Sequence, residues 1–149
     1  MSTAPPLPPK PVADRDTQPF WDAVAEHRLV VQRCRECARF VWQPRPLCPH
    51  CHAEDPEWVE LEGAATVVSW TVLHPPVLAV WQDAIPFTVL LVEPDDAPGV
   101  RMVGQLVEPD GTLVRGDEGV DFGVRVELRW RVDEAGQALP AWTLVTRRP

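Results

Sequence analysis

Residues 34–51, CRECARFVWQPRPLCPHC, contain all four cysteines of the chain, arranged as CxxC, ten intervening residues and a second CxxC. Zn²⁺ prefers four thiolates at the corners of a tetrahedron. Each CxxC turn offers two thiolates at nearly the right separation, and the intervening hairpin brings the two turns together. The spacing therefore predicts a zinc ribbon in which Cys34, Cys37, Cys48 and Cys51 hold one structural Zn²⁺.

Other uses of these cysteines remain open at the level of the sequence. They could form two CxxC disulfides, or one pair could be a redox dithiol. A redox motif needs a helix N-terminus that lowers the pKa of one thiol, and the flanking Arg-Glu and Pro-His residues give little sign of one. His50 and His52 could replace a cysteine ligand, but with four cysteines present we expect them to be surface groups or neighbours of the site.

The segment before the ribbon predicts a short helix. Thr17 suits an N-cap and Pro19 a first helical turn. Apolar residues then recur at i,i+4 spacing, Phe20 with Val24 and Trp21 with Ala25. We expect the helix to end near His27, with a strand-like lead at residues 29–31.

The chain after Trp58 is rich in β-forming residues. Residues 124–132, VRVELRWRV, alternate apolar and polar side chains without a break, which is typical of a half-buried strand. Four further candidate strands are residues 65–73, 87–93, 100–107 and 142–146. Five short antiparallel strands favour a five-stranded OB-fold barrel, while an SH3-like barrel or a sandwich fragment remains open.

These patterns predict a mainly β protein with four parts. Residues 1–16 are rich in proline and poor in large apolar side chains, so burial cannot offset the entropy of ordering them, and we expect a mobile or polyproline-like arm. The helix and lead strand (17–31), the zinc ribbon (32–59) and the OB-fold domain (60–149) follow.

Length and composition indicate a folded protein of one domain or two very small ones. The chain has 149 residues, of which 45% are hydrophobic and 24% charged, close to average globular usage. No apolar run approaches the ~20 residues that cross a bilayer, and the N-terminus lacks the apolar core of a secretory signal. We therefore expect a cytoplasmic protein that does not contact membranes.

The charge is negative overall and unevenly distributed. The net charge of −8 and the pI of about 4.9 disfavour a general nucleic-acid binder, which needs a positive surface. Residues 28–52, however, contain five arginines and a single glutamate. Arg39 and Arg45, with Trp42 between them in sequence, are candidates for contact with an anionic ligand or an acidic partner. A solvated arginine face is the alternative.

No catalytic constellation is recognisable in the sequence. Ser69, His74 and Asp83 are the residue types of a triad, but the chain has no GxSxG elbow, and it also lacks GxGxxG and Walker-type loops. His74 could contact a ligand or act as a general base, although a lone histidine before two prolines is typical of a loop or strand end. The chain alone is therefore predicted to have no enzymatic activity.

The connection 74–86, HPPVLAVWQDAIP, carries an unusual apolar run. Exposed apolar side chains in a loop are unfavourable and tend to mark interaction sites. Leu78 and Trp81 are therefore candidate anchors for a partner or a wall of a ligand tunnel. The alternative is that the loop folds back as a lid over the open end of the barrel.

Several stretches together resemble a known family. They are TQPFWDAVAEHRLVVQRCREC, WQPRPLCPHC, SWTVLH and RMVGQLV, in an order that runs from residue 17 to about residue 147. The chain resembles the family that joins a rubredoxin-like zinc ribbon to an acyl-CoA-associated OB-fold domain. The resemblance implies a small partner of thiolase-superfamily enzymes, among them acetyltransferases, synthases and the aldolases that cut acyl-CoA side chains, notably of steroids.

The leading prediction is therefore a non-catalytic, zinc-containing accessory subunit. It would dock on a thiolase-like enzyme as part of a hetero-oligomer and help bind or channel acyl-CoA in lipid or steroid degradation, with Arg39 and Arg45 contacting the CoA phosphates. One alternative is a nucleic-acid-binding module, since OB-folds and zinc ribbons bind single strands elsewhere, but the acidic total counts against it. Another is an enzyme that uses His74 or Asp83 as a base.

Overall fold

The computed structural model describes residues 9–133 and 135–145, which contain one α-helix, one short 3₁₀ helix and eight strands. Residues 1–8 of the predicted arm and Thr146 of the last candidate strand lie outside the described residues. The elements are α1 (Gln18–Ala25), β1 (Val30–Cys34), β2 (Phe40–Val41), β3 (Pro56–Glu60), β4 (Ala64–Leu73), the 3₁₀ helix (Ala79–Trp81), β5 (Phe87–Pro94), β6 (Met102–Leu106), β7 (Arg125–Val132) and β8 (Ala138–Leu144).

The helix α1 begins after Thr17, but Thr17 does not cap it with its side chain. The hydroxyl of Thr17 instead donates to the carboxylate of Asp14 at 2.7 Å, and the same carboxylate accepts the backbone N–H groups of Asp16 and Thr17. These hydrogen bonds, led by that from the Thr17 side chain, lower the pKa of Asp14. Thr17 therefore occupies the predicted N-cap position but does not cap through its side chain, and a turn centred on Asp14 leads into the helix.

The N-terminal half forms a small three-stranded antiparallel sheet in the order β2-β1-β3. Its central strand, β1, pairs along its whole length with β3, from Val30 with Glu60 to Cys34 with Pro56. Helix α1 buries Phe20, Ala23 and Val24 in a hydrophobic core that also contains β1 residues and the interior of the barrel. Helix α1 and the start of β1 therefore share one core with the barrel, while Cys34, Val41 and Cys48 form a second, smaller cluster at the cysteine end of the ribbon.

The C-terminal half is the predicted five-stranded closed barrel, in the order β4-β5-β6-β8-β7. The strands are not all antiparallel as predicted, because β6 and β8 run parallel. The interior is filled by apolar side chains, among them Leu90, Val126 and the fully buried Trp142. The closed barrel excludes the sandwich fragment that the sequence left open.

The last strand begins earlier than its sequence pattern indicated. β8 spans Ala138–Leu144 instead of residues 142–146, and it includes Pro140, which pairs with Trp130 of β7. Proline cannot donate a hydrogen bond to a ladder and ordinarily argues against a strand.

None of the helices in residues 9–133 and 135–145 is long and apolar enough to cross a membrane.

Candidate metal centre and ligand cleft

The four cysteines lie together at one end of the ribbon sheet. Their Sγ atoms all lie within 4.8 Å of one another. The shortest separations join the two CxxC turns: 3.5 Å from Cys34 to Cys51 and 3.7 Å from Cys37 to Cys48. A tetrahedral ion with Zn–S bonds of about 2.3 Å places its sulfur atoms about 3.8 Å apart. The cluster therefore fits one Zn²⁺.

The two CxxC turns have the same local structure. In the first, the N–H of Ala38 donates to the carbonyl of Cys34 at 3.0 Å, and in the second, the N–H of His52 donates to that of Cys48 at 2.9 Å. Ala38 and His52 both adopt positive φ, 57° and 62°. Backbone N–H groups also donate to sulfur, from Cys37 to Cys34 at 3.5 Å and from His50 to Cys48 at 3.4 Å. Repeated N–H···S bonds favour thiolates.

The pKa values of two thiols in the cluster, Cys48 and Cys51, are shifted in opposite directions. For Cys48, burial opposes ionisation, but the backbone N–H groups of His50 and Cys51 and the neighbouring thiols lower its pKa to about 6. For Cys51, the N–H of Ala53 acts to lower the pKa, but the neighbouring sulfur atoms and burial outweigh it and raise the pKa to about 12. Four thiolates this close repel one another, and a bound cation removes that cost.

The donor set, its geometry and its backbone support thus fit a structural zinc site made by Cys34, Cys37, Cys48 and Cys51, as predicted. Zn²⁺ bound to four thiolates has no open position for substrate, so its role is to stabilise the fold. His50 directs its Nδ1 to the Arg39 guanidinium at 3.1 Å. It therefore contributes its backbone, and not its ring, to the sulfur cluster.

Most of the ribbon arginines have acidic neighbours. Arg28 pairs with Glu26 and Glu60, and Arg33 and Arg35 contact Asp55 and Glu57. These carboxylates come from the helix end, from Asp55 just before β3 and from β3 itself, all outside the basic stretch of sequence. The ribbon face is therefore closer to neutral than residues 28–52 alone indicate.

Among the described residues, Arg39, Trp42 and Arg45 share no hydrogen bond, ion pair or cleft. Arg39 contacts His50, and Arg45 lines depressions formed by Pro46 and Leu47. Trp42 packs edge to face on Phe20 of α1, with ring centroids 5.1 Å apart. Contact of the two arginines with CoA phosphates stays a prediction, and Trp42 belongs to a different surface.

That surface is a cleft, which we call the tryptophan cleft. It lies between α1, the segment 42–44, the loop before β5 and the barrel strands, and its volume is about 470 Å³. No charged side chain lines it in the described part of the chain. Its principal lining residues are Trp21, Trp42, Trp81, Val103, Leu139 and Pro140. A cleft of this size and apolar character is typical of a small-molecule site.

The loop 74–86 supplies one wall of the cleft. Trp81 sits 5.7 Å from the ring of Phe87, and the Arg131 guanidinium lies 6.0 Å from its ring centroid. Leu78 is 65% exposed. Arg115 holds the loop by donating to the carbonyls of Asp83 and Ile85, both at 3.0 Å. Trp81 is therefore fixed against the barrel, while Leu78 faces solvent.

The catalytic alternative gains no support from side-chain contacts. In the described residues, no hydrogen bond or ion pair joins the side chains of Ser69, His74 and Asp83. His74 is exposed at the end of β4 and lies outside the tryptophan cleft.

The sequence indicates Trp42 and Trp81 as contact residues, but it does not show that both line one cleft with α1 and the barrel. Trp21 is predicted only as part of a helix face, and no sequence pattern singles out Val103 or Pro140. These residues lie on separate segments, and only the fold brings them together. The available signal is the presence of seven tryptophans in a chain without tyrosine, because tryptophan is enriched at binding surfaces.

Comparison with known families matches both halves of the chain. The family described as ChsH2, rubredoxin-like zinc ribbon domain, matches residues 21–57. The family described as ChsH2, C-terminal OB-fold domain, matches residues 58–131. The two matches are contiguous and run from α1 through most of β7.

Three curated relatives share this region. A probable enoyl-CoA hydratase alpha subunit of Thermomonospora curvata is 34% identical over 145 residues, which are 96% of this chain and 40% of the relative. The 3-oxo-4,17-pregnadiene-20-carboxyl-CoA hydratase alpha subunit of Mycobacterium tuberculosis is 34% identical over 105 residues, which are 70% of this chain and 32% of the relative. The chain thus spans less than half of either. A DUF35 domain-containing scaffold protein of Pyrococcus furiosus is 27% identical, covering 73% and 74%.

Solved structures agree. A chain of the Ltp2–ChsH2(DUF35) aldolase superimposes with a TM-score of 0.78 at 30% identity, covering 92% of this chain and all of the other. A DUF35-family protein of unknown function from Sulfolobus solfataricus has the same fold at 16% identity and a TM-score of 0.59. The chain therefore belongs to the ChsH2 (DUF35) family, in which a rubredoxin-like zinc ribbon precedes a C-terminal OB-fold domain.

Proposed function

We propose that the chain is a non-catalytic accessory subunit that docks on a thiolase-like enzyme and helps bind or channel its acyl-CoA substrate. The observation that carries the proposal is the end-to-end match, at 30% identity and a TM-score of 0.78, with a chain of the Ltp2–ChsH2(DUF35) aldolase. That protein's name joins two components, and the present chain resembles the family of small partners in such assemblies.

The chemistry of the described residues supports a non-catalytic role. All four cysteines are committed to Zn²⁺, so no thiol is left as a nucleophile. In residues 9–133 and 135–145, no hydrogen bond or ion pair joins the side chains of Ser69, His74 and Asp83. The chemistry would then belong to the partner, as the resemblance implies.

Acyl-CoA is the ligand class that the relatives' names favour. Two of them are named as subunits of hydratases that act on CoA esters, one of them a steroid-type ester. This chain matches only 40% and 32% of those proteins, so their hydratase activity is not part of the proposal. The shared element would be the handling of a bulky acyl thioester. The proposal places the complex in the cytoplasm, where reducing conditions preserve zinc thiolates.

The test is co-purification of the tagged full chain from its native host, followed by mass identification of the proteins that accompany it. We expect a thiolase-superfamily protein in stoichiometric amount and acyl-CoA turnover by the complex but not by the chain alone. A preparation that stays monomeric in the presence of every thiolase-like protein of the host would contradict the proposal. Single-stranded DNA serves as a control ligand, and any weak binding to it should vanish at moderate salt.

A further inference from the structure

One aromatic side chain is exposed on the loop between β6 and β7. Phe122 is 71% exposed, whereas the other aromatic residues in the described part of the chain are buried or half-buried. Its ring meets that of Trp70 of β4 edge to face, with ring centroids 5.1 Å apart. An exposed ring that already packs on a second ring is an apolar anchor available to a partner.

Hydrogen bonds fix the two rings in place. The N–H of Phe122 donates to the carboxylate of Asp121 at 2.7 Å, and the N–H of Gly123 donates to the carbonyl of Val67 in β4 at 2.9 Å. Trp70 donates its Nε1–H to the carboxylate of Asp117 at 3.0 Å. Because the loop is already ordered around the rings, a partner that binds them has little conformational entropy to remove.

Three carboxylates accompany the rings on the same loop. Asp117, Glu118 and Asp121 are exposed, and none of them forms an ion pair within residues 9–133 and 135–145. The only basic residue between positions 108 and 124 is Arg115, whose guanidinium donates to backbone carbonyls of the loop 74–86. The apolar anchor therefore lies beside negative charge that the described part of the chain does not neutralise by ion pairing.

We infer that this surface docks on a basic face of the thiolase-like partner, with a guanidinium group of the partner against the Phe122 ring. The surface, which we call the Phe122 patch, is made by Trp70, Asp117, Glu118, Asp121 and Phe122. The inference rests on the proposed function, which supplies the partner. A guanidinium stacks on aromatic rings and makes charge-assisted hydrogen bonds to carboxylates, so one side chain satisfies both features of the patch. Nucleic acids and anionic membranes carry phosphates, which the carboxylates repel.

The first test needs no partner protein. The isotope-labelled, zinc-loaded full chain is titrated with N-acetyl-arginine methylamide, and its NMR amide signals are followed. We expect saturable shifts at residues 117–123 and at the indole N–H of Trp70. N-acetyl-citrulline methylamide has nearly the same shape without the charge and should cause shifts at least fivefold smaller. Equal shifts with the two probes, or none at the patch, would overturn the inference.

The second test measures the affinity of the chain for the thiolase-like protein that co-purifies with it. Phe122→Ala should weaken binding at least tenfold, while Val132→Ala should change it less than twofold. Val132 is also an exposed apolar residue, 55% exposed, but it ends β7, whereas Phe122 precedes the start of that strand. Unchanged thermal stability of both variants confirms that they fold.

A second pair of variants isolates the charge of the patch. Glu118→Lys should weaken partner binding at least fivefold and reduce its salt dependence, because a like charge then faces the basic surface. Glu54→Lys makes the same change of charge at an exposed position on the ribbon and should have less than a twofold effect. Equal effects of the two substitutions would mean that only net charge matters, and the inference would be wrong.

Other occupants of the patch give different results. If Phe122→Ala abolished self-association of the chain in ultracentrifugation, the patch would contact a second copy. If only a chain lacking residues 147–149 bound the arginine probe, the chain's own Arg147 and Arg148 would compete for the patch. Either result would overturn the inference. A partner that binds Phe122→Ala as tightly as the wild type would also overturn it but leave the accessory-subunit proposal intact, whereas failure to capture any thiolase-like partner would contradict both.

Discussion

Replacing Gly104 by alanine should destabilise the barrel through a single, well-defined clash. Gly104 lies in β6 with its Cα facing the interior, where the indole of Trp142 fills the barrel. An added Cβ would lie 2.6 Å from Nε1 and 2.7 Å from Cδ1 of Trp142. Ordinary contacts begin at about 3.4 Å, so the indole must move by about 0.8 Å in a packed core.

The expected cost follows from the packing around Trp142. The backbone at Gly104 does not require glycine, because its φ lies outside the positive range in which L-residues are strained. Alanine would therefore be neutral or slightly stabilising without the clash. Overpacking a core costs about 1–3 kcal/mol, and for a chain of this size about 2 kcal/mol lowers the Tm by about 4–8 °C.

Urea unfolding of the zinc-loaded protein, monitored by tryptophan fluorescence, measures the free energy of unfolding. Val103→Ala is the matched control, because Val103 adjoins Gly104 on the same strand and is 68% exposed, so the change should stay within about 0.5 kcal/mol. Trp142→Phe in the Gly104→Ala background should recover part of the loss, with a coupling energy of about 1 kcal/mol or more. A Gly104→Ala protein as stable as the wild type, or additive costs in the double variant, would refute this account of the core.

Four further outcomes are expected. Cys48→Ser should lose zinc and soluble protein, as elemental analysis would show, because the ribbon has too little core to fold without metal; a folded, metal-free variant would contradict this. Leu78→Asp should keep zinc and thermal stability, because Leu78 is 65% exposed, but weaken partner binding about tenfold, and unchanged binding in pull-downs would remove Leu78 from the interface. The Arg125 side chain lowers the pKa of Asp95, so the pair stabilises the protein above about pH 4 and loses its effect as the pH falls further. Asp95→Asn should therefore lower the free energy of unfolding by about 0.2–1 kcal/mol at pH 7, and the loss should disappear in acid. A loss that does not change with pH would refute this account of the pair. Arg39→Gln, with Arg45 likewise replaced, should weaken calorimetric binding of acyl-CoA to the assembled complex, and unchanged affinity would leave both as surface arginines.

The zinc ribbon was predictable because ligand chemistry imposes its spacing. Four thiolates can surround one small ion in only a few arrangements, and the CxxC pairs at residues 34–37 and 48–51 have the spacing that these arrangements require. The strands were predictable for a similar reason, since alternation of side chains is a local property of the β-conformation. Residues 124–132 therefore identified β7 to within one residue.

The pairing of strands was not predictable from the same patterns. Alternation shows which side chains face the core, but it does not show which strand lies beside which. The parallel contact between β6 and β8 arises from closure of the barrel. The predicted strand began after Pro140, because proline ordinarily interrupts strands, whereas β8 includes this residue. The Asp14 turn at the helix start was missed because the sequence at Thr17 offers two competing hydrogen-bond patterns.

The zinc site and the tryptophan cleft are linked through the backbone between Cys37 and Cys48, although no cysteine lines the cleft. Trp42 lies midway along the ten residues between Cys37 and Cys48, and both ends of that segment are held by the metal ligands. A segment so short, tied at both ends, has few conformations left. It therefore holds Trp42 against Phe20 of α1, where the rings meet at 5.1 Å. Zn²⁺ thus shapes the tryptophan cleft by fixing the backbone that carries Trp42 in its wall.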